Sequence, residues 1–457
     1  MNKKLIQFEN DIREKKVTVI GIGISNLPLI KYLRALGTDV TACDKRTKQE
    51  LCDVFDTLNN LGVKLRLGED YLEDIDADVI FKTPGMRFDV PQLVRARENG
   101  AVVTSEMEIF FDICPCKIIA VTGSDGKTTT TTLINKIMSE AGYKTWLGGN
   151  IGNPLLTEVG KITDSDYAIL ELSSFQLHTI KKSPHIAVIT NITPNHLDMH
   201  KDYQEYIDAK KNIMLYQNED DILIVNAENE VTELIGKEAK GKAIYFSSKK
   251  DAPVSIKNDA IYFDTDEILK ISDIILPGMH NVENYMTAIG AVYGLADKNA
   301  IINVAKSFGG VEHRIELVRE LDGVKYYNSS IDSSPNRTKN TLKVFNDKVI
   351  MISGGKDKGI PYDEIGPEII DHVKTLVLIG ATSKAINDAL EKAYNERGIE
   401  PCVKVLYANT YPEAVEFARQ EAKPSDVVLL SPASTSFDMF KNFEERGNLF
   451  KSIVNSL

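Results

Sequence analysis

Short apolar runs alternate with helical patterns along almost the whole chain, and this alternation limits the possible folds more than any other feature. Each run consists mainly of Val, Ile, Leu and Ala and is bounded by polar or glycine-containing turns. Strands that alternate with helices form parallel sheets covered by helices on both faces. The sequence therefore predicts an α/β protein with parallel sheets. The predicted strands are residues 17–20, 39–43, 78–81, 118–121, 167–170, 186–189, 222–225, 349–352, 376–379 and 427–430.

The chain of 457 residues is too long for one hydrophobic core. At about 150 residues per domain, its length corresponds to about three domains. A new strand–glycine–helix unit begins near Lys117, and a second break falls at Gly309-Gly310, before another set of strands. These breaks predict domains over residues 1–108, 109–310 and 311–457.

Composition excludes several classes of protein. Hydrophobic residues make up 43% and charged residues 26%, as in folded globular proteins rather than disordered or fibrous ones. No run approaches the roughly 18 apolar residues of a membrane span, and the N-terminus lacks the apolar segment of a signal peptide. The formal net charge of −12 argues against a nucleic-acid partner. Five cysteines without a C-x-x-C pattern fit a cytoplasmic protein.

The strongest local motif is the segment 118–129, in which a predicted strand runs into Gly123 and Gly126. Lys127 and Thr128 then open a helix. Glycines allow backbone N–H groups to turn around a phosphate, and a helix N-terminus adds partial positive charge. Lys127 can reach the terminal phosphates, and the Thr128 hydroxyl can bind Mg²⁺. Because Val121 replaces the first glycine of the full P-loop, the common GTPases and transport ATPases are disfavoured; the structural alternative is a plain strand–turn–helix connection.

Further polar residues follow predicted strands in the central region. Glu171 ends the strand 167–170, where parallel sheets present their ligands, and it is therefore a candidate Mg²⁺ ligand. The structural alternative is a solvated glutamate. His196, Asp198 and His200 resemble a metal cluster but lie in a loop. Lys210 lies with Lys211 on the predicted helix 203–215, where a solvated face is the structural alternative.

Together these segments resemble the Mur ligases, the ATP-dependent amide ligases of peptidoglycan precursor synthesis. The resemblance spans nearly the whole chain, and its third-domain motif, together with residues 171–177, points to the branch that adds D-glutamate. It implies a Rossmann-like UDP-binding domain, a central P-loop ATPase domain and a C-terminal Rossmann-like domain. The matching segments are residues 21–25, 122–129, 149–152, 171–177, 191–193, 196–198, 278–281, 313–314 and 430–447.

The resemblance also implies the ATP site and its metals. Two Mg²⁺ ions are expected, with Thr128, Glu171 and His196 as ligands. Lys127, His196 and Lys210 are expected to be catalytic, and Lys210 matches the family's carbamylated lysine. A carbamate converts this cation into an anion beside the metals. The implied ATP-binding residues are Gly123, Ser124, Asp125, Gly126, Lys127, Thr128, Thr129, Asn281, Asn284 and Arg314.

The first predicted domain carries an incomplete dinucleotide fingerprint. Gly21-Ile-Gly23 is followed about 20 residues later by Asp44, but Asn26 stands at the third glycine position. An NAD-dependent oxidoreductase is therefore an alternative, although it leaves Lys127 and Glu171 unexplained. The resemblance implies UDP instead, and the structural alternative for Asp44 is a strand cap. The implied contacts to the UDP-linked substrate are Ser25, Asp44, Lys45, Arg46 and Asn150.

The resemblance implies that the third predicted domain binds D-glutamate through Lys358, Ser436 and the backbone of Phe443. Two carboxylates need cations and hydrogen-bond donors, and the structural alternative for Lys358 is a solvated loop lysine. One loop departs from the family pattern. The family commonly has Asn-Asp-Ser-Lys-Ala-Thr-Asn, whereas this chain has Asn-Ser-Ser-Ile-Asp-Ser-Ser over residues 328–334. Asp332 and Arg337 are the candidates to replace the missing charges.

The resemblance thus implies a monomeric cytoplasmic ligase that adds D-glutamate to UDP-N-acetylmuramoyl-L-alanine through an acyl phosphate. Three alternatives remain at this point. The chain could be another Mur-type amino acid ligase, or a folylpolyglutamate-type ligase, although the latter should lack the UDP-binding domain. It could also be a nucleotide-binding sensor whose altered loop at 328–334 has lost the chemistry.

Overall fold

The computed structural model describes residues 2–23, 25–194 and 199–457. Within these ranges the backbone forms three sheets of five, nine and six strands. The chain divides into two compact units, one of Met1–Asp273 with Val282–Val304 and the other of Ile274–Asn281 with Ala305–Leu457. The α/β class predicted from the sequence is confirmed, whereas the three domain boundaries stay predictions. No helix among the described residues is both long and apolar enough to cross a bilayer.

The first sheet has the parallel order β3-β2-β1-β4-β5. Strand order reverses at β1, so a crevice forms at the carboxyl ends of β1 and its neighbours, where such sheets bind ligands. The elements are α1 (Lys3–Arg13), β1 (Lys16–Ile20), α2 (Asn26–Ala35), β2 (Asp39–Asp44), α3 (Lys48–Leu51), α4 (Asp53–Asn60), β3 (Lys64–Leu67), β4 (Val79–Phe81), α5 (Pro91–Glu98), β5 (Val102–Thr104) and α6 (Glu106–Ile113).

The second sheet, of order β14-β13-β12-β11-β10-β9-β6-β8-β7, carries the phosphate loop after β6. Its elements are β6 (Lys117–Thr122), α7 (Lys127–Glu140), β7 (Thr145–Gly149), β8 (Tyr167–Glu171), α8 (Ser174–Leu177), β9 (Ile186–Ile189), α9 (Tyr203–Leu215), β10 (Ile222–Asn226), α10 (Glu230–Gly236), β11 (Lys242–Ser247), β12 (Val254–Lys257), β13 (Ala260–Phe263), β14 (Asp266–Lys270), α11 (Met279–Val292) and α12 (Lys298–Ser307).

One edge of this sheet corrects the expectation of purely parallel pairing. The pairs β12–β13 and β13–β14 are antiparallel. Asn258 and Asp259, which join β12 to β13, both have positive φ. A two-residue turn of this kind matches the twist of paired strands and therefore favours a hairpin over a helical crossover.

A continuous apolar core joins the first two sheets. It contains Val19 and Phe81 from the first sheet, Ala120 and Leu170 from the second, and Phe110 of α6 between them. Each of these side chains is fully buried. The shared core explains why both sheets belong to one compact unit.

The third sheet has the order β15-β16-β20-β17-β18-β19, and only its edge pair β15–β16 is antiparallel. Helices cover both faces through two separate apolar clusters. The elements are β15 (Glu316–Leu321), β16 (Val324–Asn328), α13 (Pro335–Leu342), β17 (Val349–Ser353), α14 (Ile365–His372), β18 (Val373–Ile379), α15 (Ser383–Arg397), β19 (Lys404–Ala408), α16 (Tyr411–Glu421), β20 (Val427–Leu430) and α17 (Phe443–Ser456).

Candidate active site

The loop between β6 and α7 has the geometry expected of a phosphate-binding loop. Gly123 and Gly126 both have positive φ. A Cβ on Gly123 would lie 1.9 Å from the Thr190 Oγ1, and one on Gly126 would lie 2.5 Å from the Asn284 Oδ1. Both positions therefore require glycine for conformation and for space.

The segment after β9 holds this loop in place. The Ser124 N–H donates to the Asn191 carbonyl at 2.8 Å, and the Asp125 N–H donates to the Asn191 Oδ1 at 2.9 Å. The Thr190 hydroxyl donates to the Asp125 carbonyl at 2.6 Å. Among the described residues, no side chain caps the N-terminus of α7, which begins after Gly126. Its first N–H groups and its dipole therefore remain suited to an anion.

The Lys127 side chain folds back over the loop. Its ammonium group donates to the carbonyls of Gly123 and Ser124, both at 2.9 Å. Thr128 and Thr129 follow in the first turn of α7 and are half-buried. This places a cation beside the uncapped helix N-terminus, as a terminal phosphate would require.

Lys210 is brought to the same loop from α9. Its side chain is almost fully buried, and its ammonium group donates to the Gly123 carbonyl at 2.7 Å. It also lies 4.7 Å from the centre of the Tyr206 ring. Burial lowers the pKa of Lys210 well below its usual value, and the charge of Lys127 lowers it further. The alternative that Lys210 lies on a solvated helix face is therefore wrong. Its neighbour Lys211 is more exposed and pairs with Glu238.

Glu171 lies at the carboxyl end of β8 and is buried. Its Oε1 accepts a hydrogen bond from the Asn150 Nδ2 at 2.8 Å, while its Oε2 has no hydrogen-bond partner among the described residues. Gly149 allows the backbone to approach Glu171, since a Cβ there would lie 2.1 Å from the Glu171 carbonyl oxygen, which accepts a hydrogen bond from the Asn150 N–H at 2.8 Å. A buried carboxylate oxygen without a partner is unfavourable unless a ligand neutralises it. The solvated glutamate considered as an alternative is thus excluded.

Of the other residues predicted for the central site, some lie in the described parts of the chain and two do not. Asn284 on α11 accepts a hydrogen bond from the Thr130 hydroxyl at 3.3 Å and packs against Gly126. His196 and Asp198 lie outside the described residues. His200 is buried, and its Nε2 lies 3.0 Å from the Ser174 Oγ. Within the described ranges, no three His, Cys, Asp or Glu side chains form a metal-binding group.

An ion pair that the sequence did not predict links the first predicted domain to α9. The Arg87 guanidinium donates to both carboxylate oxygens of Glu205, at 2.9 and 3.0 Å, and also to Asp89. His178 lies 3.8 Å from the same carboxylate. The hydrogen bond from Arg87 lowers the pKa of Glu205 to about 2.

We expect Arg87→Ala to lower the free energy of unfolding at pH 7 by about 1–3 kcal/mol, because Glu205 loses a charged donor in a largely buried place. The lowered pKa means that the pair stabilises the fold above about pH 5, and that this contribution is lost as the pH falls toward 2. Urea unfolding should therefore show a smaller difference in the free energy of unfolding between the unmodified protein and Arg87→Ala at pH 4 than at pH 7.

Arg397→Ala is the matched control, since Arg397 makes a similar two-pronged pair with the more exposed Asp371. The control should lose less than about 1 kcal/mol. Equal losses of unfolding free energy in both variants would contradict the expected role of Arg87. A loss in Arg87→Ala that is the same at pH 7 and pH 4 would also contradict it.

The crevice of the first sheet contains several predicted UDP contacts. A cavity of about 560 Å³ is lined by Asp44, Lys45 and Arg46, among others. Asp44 accepts from the Ile22 N–H at 2.7 Å and from the Arg46 guanidinium at 2.8 Å. Burial opposes its charge, but the hydrogen bonds from Arg46 and Ile22 outweigh burial and lower its pKa to about 2. Asp44 therefore holds Ile22 and Arg46 in position at the crevice. Ser25, just before α2, is not among the described residues that line this cavity.

The second compact unit contains the residues predicted to bind D-glutamate. Lys356 and Thr435 exchange two backbone hydrogen bonds, of 2.8 and 3.1 Å, so the loops that carry Lys358 and Ser436 lie side by side. Lys358 is exposed and Ser436 is buried. No hydrogen bond or ion pair between described residues joins Lys358, Ser436 and Phe443 to one another.

The other predicted residues of this unit are also described. Arg314 is exposed. The Asn281 Nδ2 donates to the Pro277 carbonyl at 2.7 Å. Phe443 begins α17, and its carbonyl accepts a hydrogen bond from the Ser330 hydroxyl at 2.8 Å.

Arg446 anchors these loops from within and was given no role by the sequence. It is fully buried and donates to the Ser330 carbonyl at 2.8 Å and to the Ser434 carbonyl at 3.0 Å. In the sequence, only its place inside the long motif 430–447 indicated that Arg446 could be important. Three carbonyl and hydroxyl contacts fix the divergent loop against the loop before α17.

The divergent loop packs around the buried Asp332. The Asp332 Oδ2 accepts from the Ser431 hydroxyl at 2.7 Å. Burial raises the pKa of Asp332, and hydrogen bonds from Ser431 and Ser329 oppose that rise. Asp332 thus lies next to Ser329, where the family has aspartate. Arg337 is exposed, and its guanidinium donates to the Ile331 carbonyl at 2.9 Å.

Comparison with protein-family models gives three matches along the chain. Residues 15–105 match the "Mur ligase MurD-like, N-terminal domain", residues 121–292 the "Mur ligase middle domain" and residues 313–434 the "Mur ligase, glutamate ligase domain". Together they cover most of the sequence and agree with the resemblance drawn from the motifs.

Curated relatives are similar over their full lengths. The chain is 55% identical to the UDP-N-acetylmuramoylalanine–D-glutamate ligase of Ruminiclostridium cellulolyticum, with 100% of both chains covered. It is 53% identical to the enzyme of the same name from Acetivibrio thermocellus, again with complete coverage. The corresponding enzyme of Clostridium beijerinckii is 52% identical, with complete coverage of both chains.

Solved structures show the same fold at low sequence identity. The UDP-N-acetylmuramate-alanine ligase of Thermotoga maritima superposes with a TM-score of 0.59 at 20% identity, covering 97% of this chain and 100% of the other. MurF from Acinetobacter baumannii gives 0.56 at 19% identity, covering 84% and 92%. These two likenesses concern the fold alone.

Proposed function

We propose that this chain, which belongs to the Mur ligase family, joins D-glutamate to UDP-N-acetylmuramoyl-L-alanine at the expense of ATP. The observation that carries the proposal is the 55% identity, over the whole chain, to a relative named for this reaction. The phosphate loop with Lys127, Lys210 and Glu171 around it supports the ATP-dependent step. Members of the family use ATP, generally with Mg²⁺.

The chemistry requires activation because a carboxylate is a poor acyl donor. An oxygen of the alanyl carboxylate attacks the γ-phosphorus of ATP, the bond to the β-phosphate oxygen breaks, and ADP leaves. The D-glutamate amine then attacks the acyl carbon of the resulting acyl phosphate. Inorganic phosphate leaves, and the amine loses a proton as the amide forms. The site must exclude water while the acyl phosphate exists.

The phosphate loop supplies fixed positive charge for the first step. The uncapped N–H groups of α7 hold the phosphates, and the Lys127 ammonium group stabilises the charge on the transferring phosphoryl group. Thr190 and Asn191 keep the loop in this conformation before ATP arrives. Preorganised donors of this kind need little rearrangement when the reaction begins.

Glu171 is suited to hold Mg²⁺ together with the Thr128 hydroxyl. Asn150 occupies one carboxylate oxygen and leaves the buried Oε2 without a protein partner, as a hard cation would require. Mg²⁺ held by these residues would supply positive charge to balance that of the phosphates. His196, the remaining predicted ligand, lies outside the described residues, and its part in a second Mg²⁺ site stays a prediction.

Glu171→Gln should raise the Mg²⁺ concentration for half-maximal activity by about tenfold or more, because a neutral amide is a weaker ligand for a hard cation. The measurement is phosphate release over a Mg²⁺ titration at saturating ATP. Glu158→Gln is the control, since Glu158 pairs with Lys161 on the surface. An unchanged Mg²⁺ dependence in Glu171→Gln would remove Glu171 from the metal site.

Lys210 is suited to carbamylation. Its lowered pKa makes the uncharged amine available, and that amine nitrogen can bond to the carbon of CO₂ with loss of one proton. The product is an anion in place of a cation near Glu171 and Lys127. An anion at this position would attract a bound metal cation, whereas a second buried ammonium group would repel it.

The substrate sites follow the family assignment. The crevice with Asp44, Lys45 and Arg46 is proposed for UDP, and Ser25 and Asn150 are proposed to contact the same substrate. Lys358, Ser436 and Phe443 are proposed for D-glutamate, since their loops supply a cation, a hydroxyl group and backbone groups. Asn281, Asn284 and Arg314 are proposed to complete the ATP site. The domain boundaries 1–108, 109–310 and 311–457, the monomeric state and the cytoplasmic location stay predictions.

The test is amide formation from UDP-N-acetylmuramoyl-L-alanine, ATP and Mg²⁺ with a panel of amino acids. D-Glutamate should give the product by mass spectrometry, with one phosphate released per amide. L-Glutamate, L-alanine and meso-diaminopimelate should give none. Product with another member of the panel would indicate a different Mur-type ligase. ATP binding without product from any amino acid would favour a nucleotide sensor and direct attention to the loop at 328–334.

A further inference from the structure

A second cavity is lined by residues that differ from those of the proposed nucleotide and UDP sites. Its volume is about 590 Å³, and its walls come from β5, α6, the segment after α8 and the end of α9. Among the described residues, it shares no lining residue with the crevice around Asp44 and none with the phosphate loop. Cavities of about 300–1,000 Å³ are typical of small-molecule sites.

Lys82, immediately after β4, lines this cavity. Its N–H donates to the Thr104 carbonyl at 2.9 Å and so extends the pairing with β5, while its side chain is only 3% exposed. In the described parts of the chain, no side chain forms a hydrogen bond or ion pair with its ammonium group. The charged groups that act on it, Glu108 and His178, line the same cavity. Lys82 therefore contributes to the cavity wall an amine that no described side chain pairs with.

A buried ammonium group without a partner is unfavourable. Burial lowers the pKa of Lys82, and the charge of Glu108 opposes that effect. An anion in the cavity would complete the missing contact and stabilise the charged form. The other way to relieve the charge, a direct pair with Glu108, is not formed.

The cavity is locally positive in an acidic protein. Four cations line it, namely Lys82, Arg97, Lys181 and Lys182, against two acids, Glu108 and Asp112. Lys182 already pairs with Asp112, and Arg97 donates to the Phe88 carbonyl at 2.7 Å. Lys82 is the buried member of the set, so the charge contact is expected at its amine.

The rest of the wall is largely apolar and includes Phe88, Val103, Ile109, Phe111 and Ile180. We propose that this cavity is a binding site for a small organic carboxylate with an apolar body, whose carboxylate group pairs with Lys82. A single buried amine in an apolar wall favours one negative charge over a phosphate dianion, which would need more donors. The apolar body displaces water from Phe88 and its neighbours.

The test uses 4-phenylbutyrate and its uncharged analogue 4-phenylbutanol as probes of the full-length protein, with binding measured by calorimetry. No nucleotide or amino acid substrate is present, so the result is independent of the ligase reaction. The carboxylate should bind about tenfold or more tightly than the alcohol, the order expected for one charge-assisted contact. Lys82→Met should remove that preference, whereas Lys161→Met, at an exposed lysine paired with Glu158, should keep it.

A second measurement needs only the unmodified chain and so does not depend on the folding of Lys82→Met. Trace acetylation with acetic anhydride, followed by peptide mass spectrometry, reports how accessible each lysine amine is. Saturating 4-phenylbutyrate should lower acetylation of Lys82 severalfold and leave Lys161 unchanged. Equal affinity for acid and alcohol, a preference that persists in Lys82→Met, no binding at millimolar probe, or unprotected Lys82 would each overturn the proposal.

Discussion

Lys127→Ala should abolish measurable ligation. We expect a fall in kcat of about a thousandfold or more, equivalent to about 4 kcal/mol of transition-state stabilisation. The Lys127 ammonium group lies within the phosphate loop, 2.9 Å from the Gly123 and Ser124 carbonyls, and Lys127 is the first residue of the uncapped helix α7. Its charge is needed when negative charge shifts on the transferring phosphoryl group, and water cannot replace it in a closed site. The measurement is single-turnover amide formation at saturating substrates.

Lys136→Ala is the matched control, because Lys136 lies on the same helix and is exposed. It should keep activity within about twofold, as is usual for surface substitutions. If Lys127→Ala retained more than a tenth of the activity, the phosphate loop would not be the site of phosphoryl transfer. A rise in KM for ATP with kcat unchanged would assign Lys127 to ATP binding rather than to transition-state stabilisation.

Lys210→Ala should also lose most activity, and small carboxylic acids such as acetate should restore part of it. The reason is the proposed carbamate: the truncated side chain leaves space beside Gly123, and an added carboxylate can supply the missing anion. Lys210→Arg should not be rescued, since the guanidinium fills the space and stays positively charged. The measurement is phosphate release over an acetate titration.

Direct detection of the carbamate completes this test. With ¹³C-labelled bicarbonate, the chain should show a carbamate carbon resonance that disappears in Lys210→Ala. Lys211→Ala is the control, because the adjacent Lys211 pairs with Glu238 at 2.5 Å and should not be modified. If the resonance disappeared in Lys211→Ala instead, the modified residue would be Lys211 rather than Lys210. Absence of any resonance, together with full activity, would show that the free amine suffices.

The central parallel strands could be predicted because burial on both faces leaves a continuous apolar run. Ile186–Ile189 and Val427–Leu430 were predicted with the bounds that the structure shows. Edge strands could not be found in this way. Lys64–Leu67 and Lys404–Ala408 are partly exposed and carry polar residues, and the hairpins of Val254–Lys270 depend on local turns.

The phosphate loop could be predicted because its mechanism is local in sequence, from Gly123 to Thr128. Contacts between distant segments could not. Nothing in the sequence places Asn150 on Glu171 or Arg87 on Glu205, and the polar helix around Lys210 gave no sign that this lysine is buried. These contacts join segments that are distant in the sequence, so they arise only when the chain folds.

The most direct test of the account follows the oxygen atoms of the substrate. UDP-N-acetylmuramoyl-L-alanine labelled with ¹⁸O in its carboxylate is incubated with ATP, Mg²⁺ and D-glutamate, and the released phosphate is analysed by mass spectrometry. An acyl phosphate transfers one labelled oxygen to each phosphate, and release should stop when D-glutamate is omitted. Unlabelled phosphate, released at the same rate without D-glutamate, would mean that ATP is hydrolysed by water and would contradict the proposed ligase.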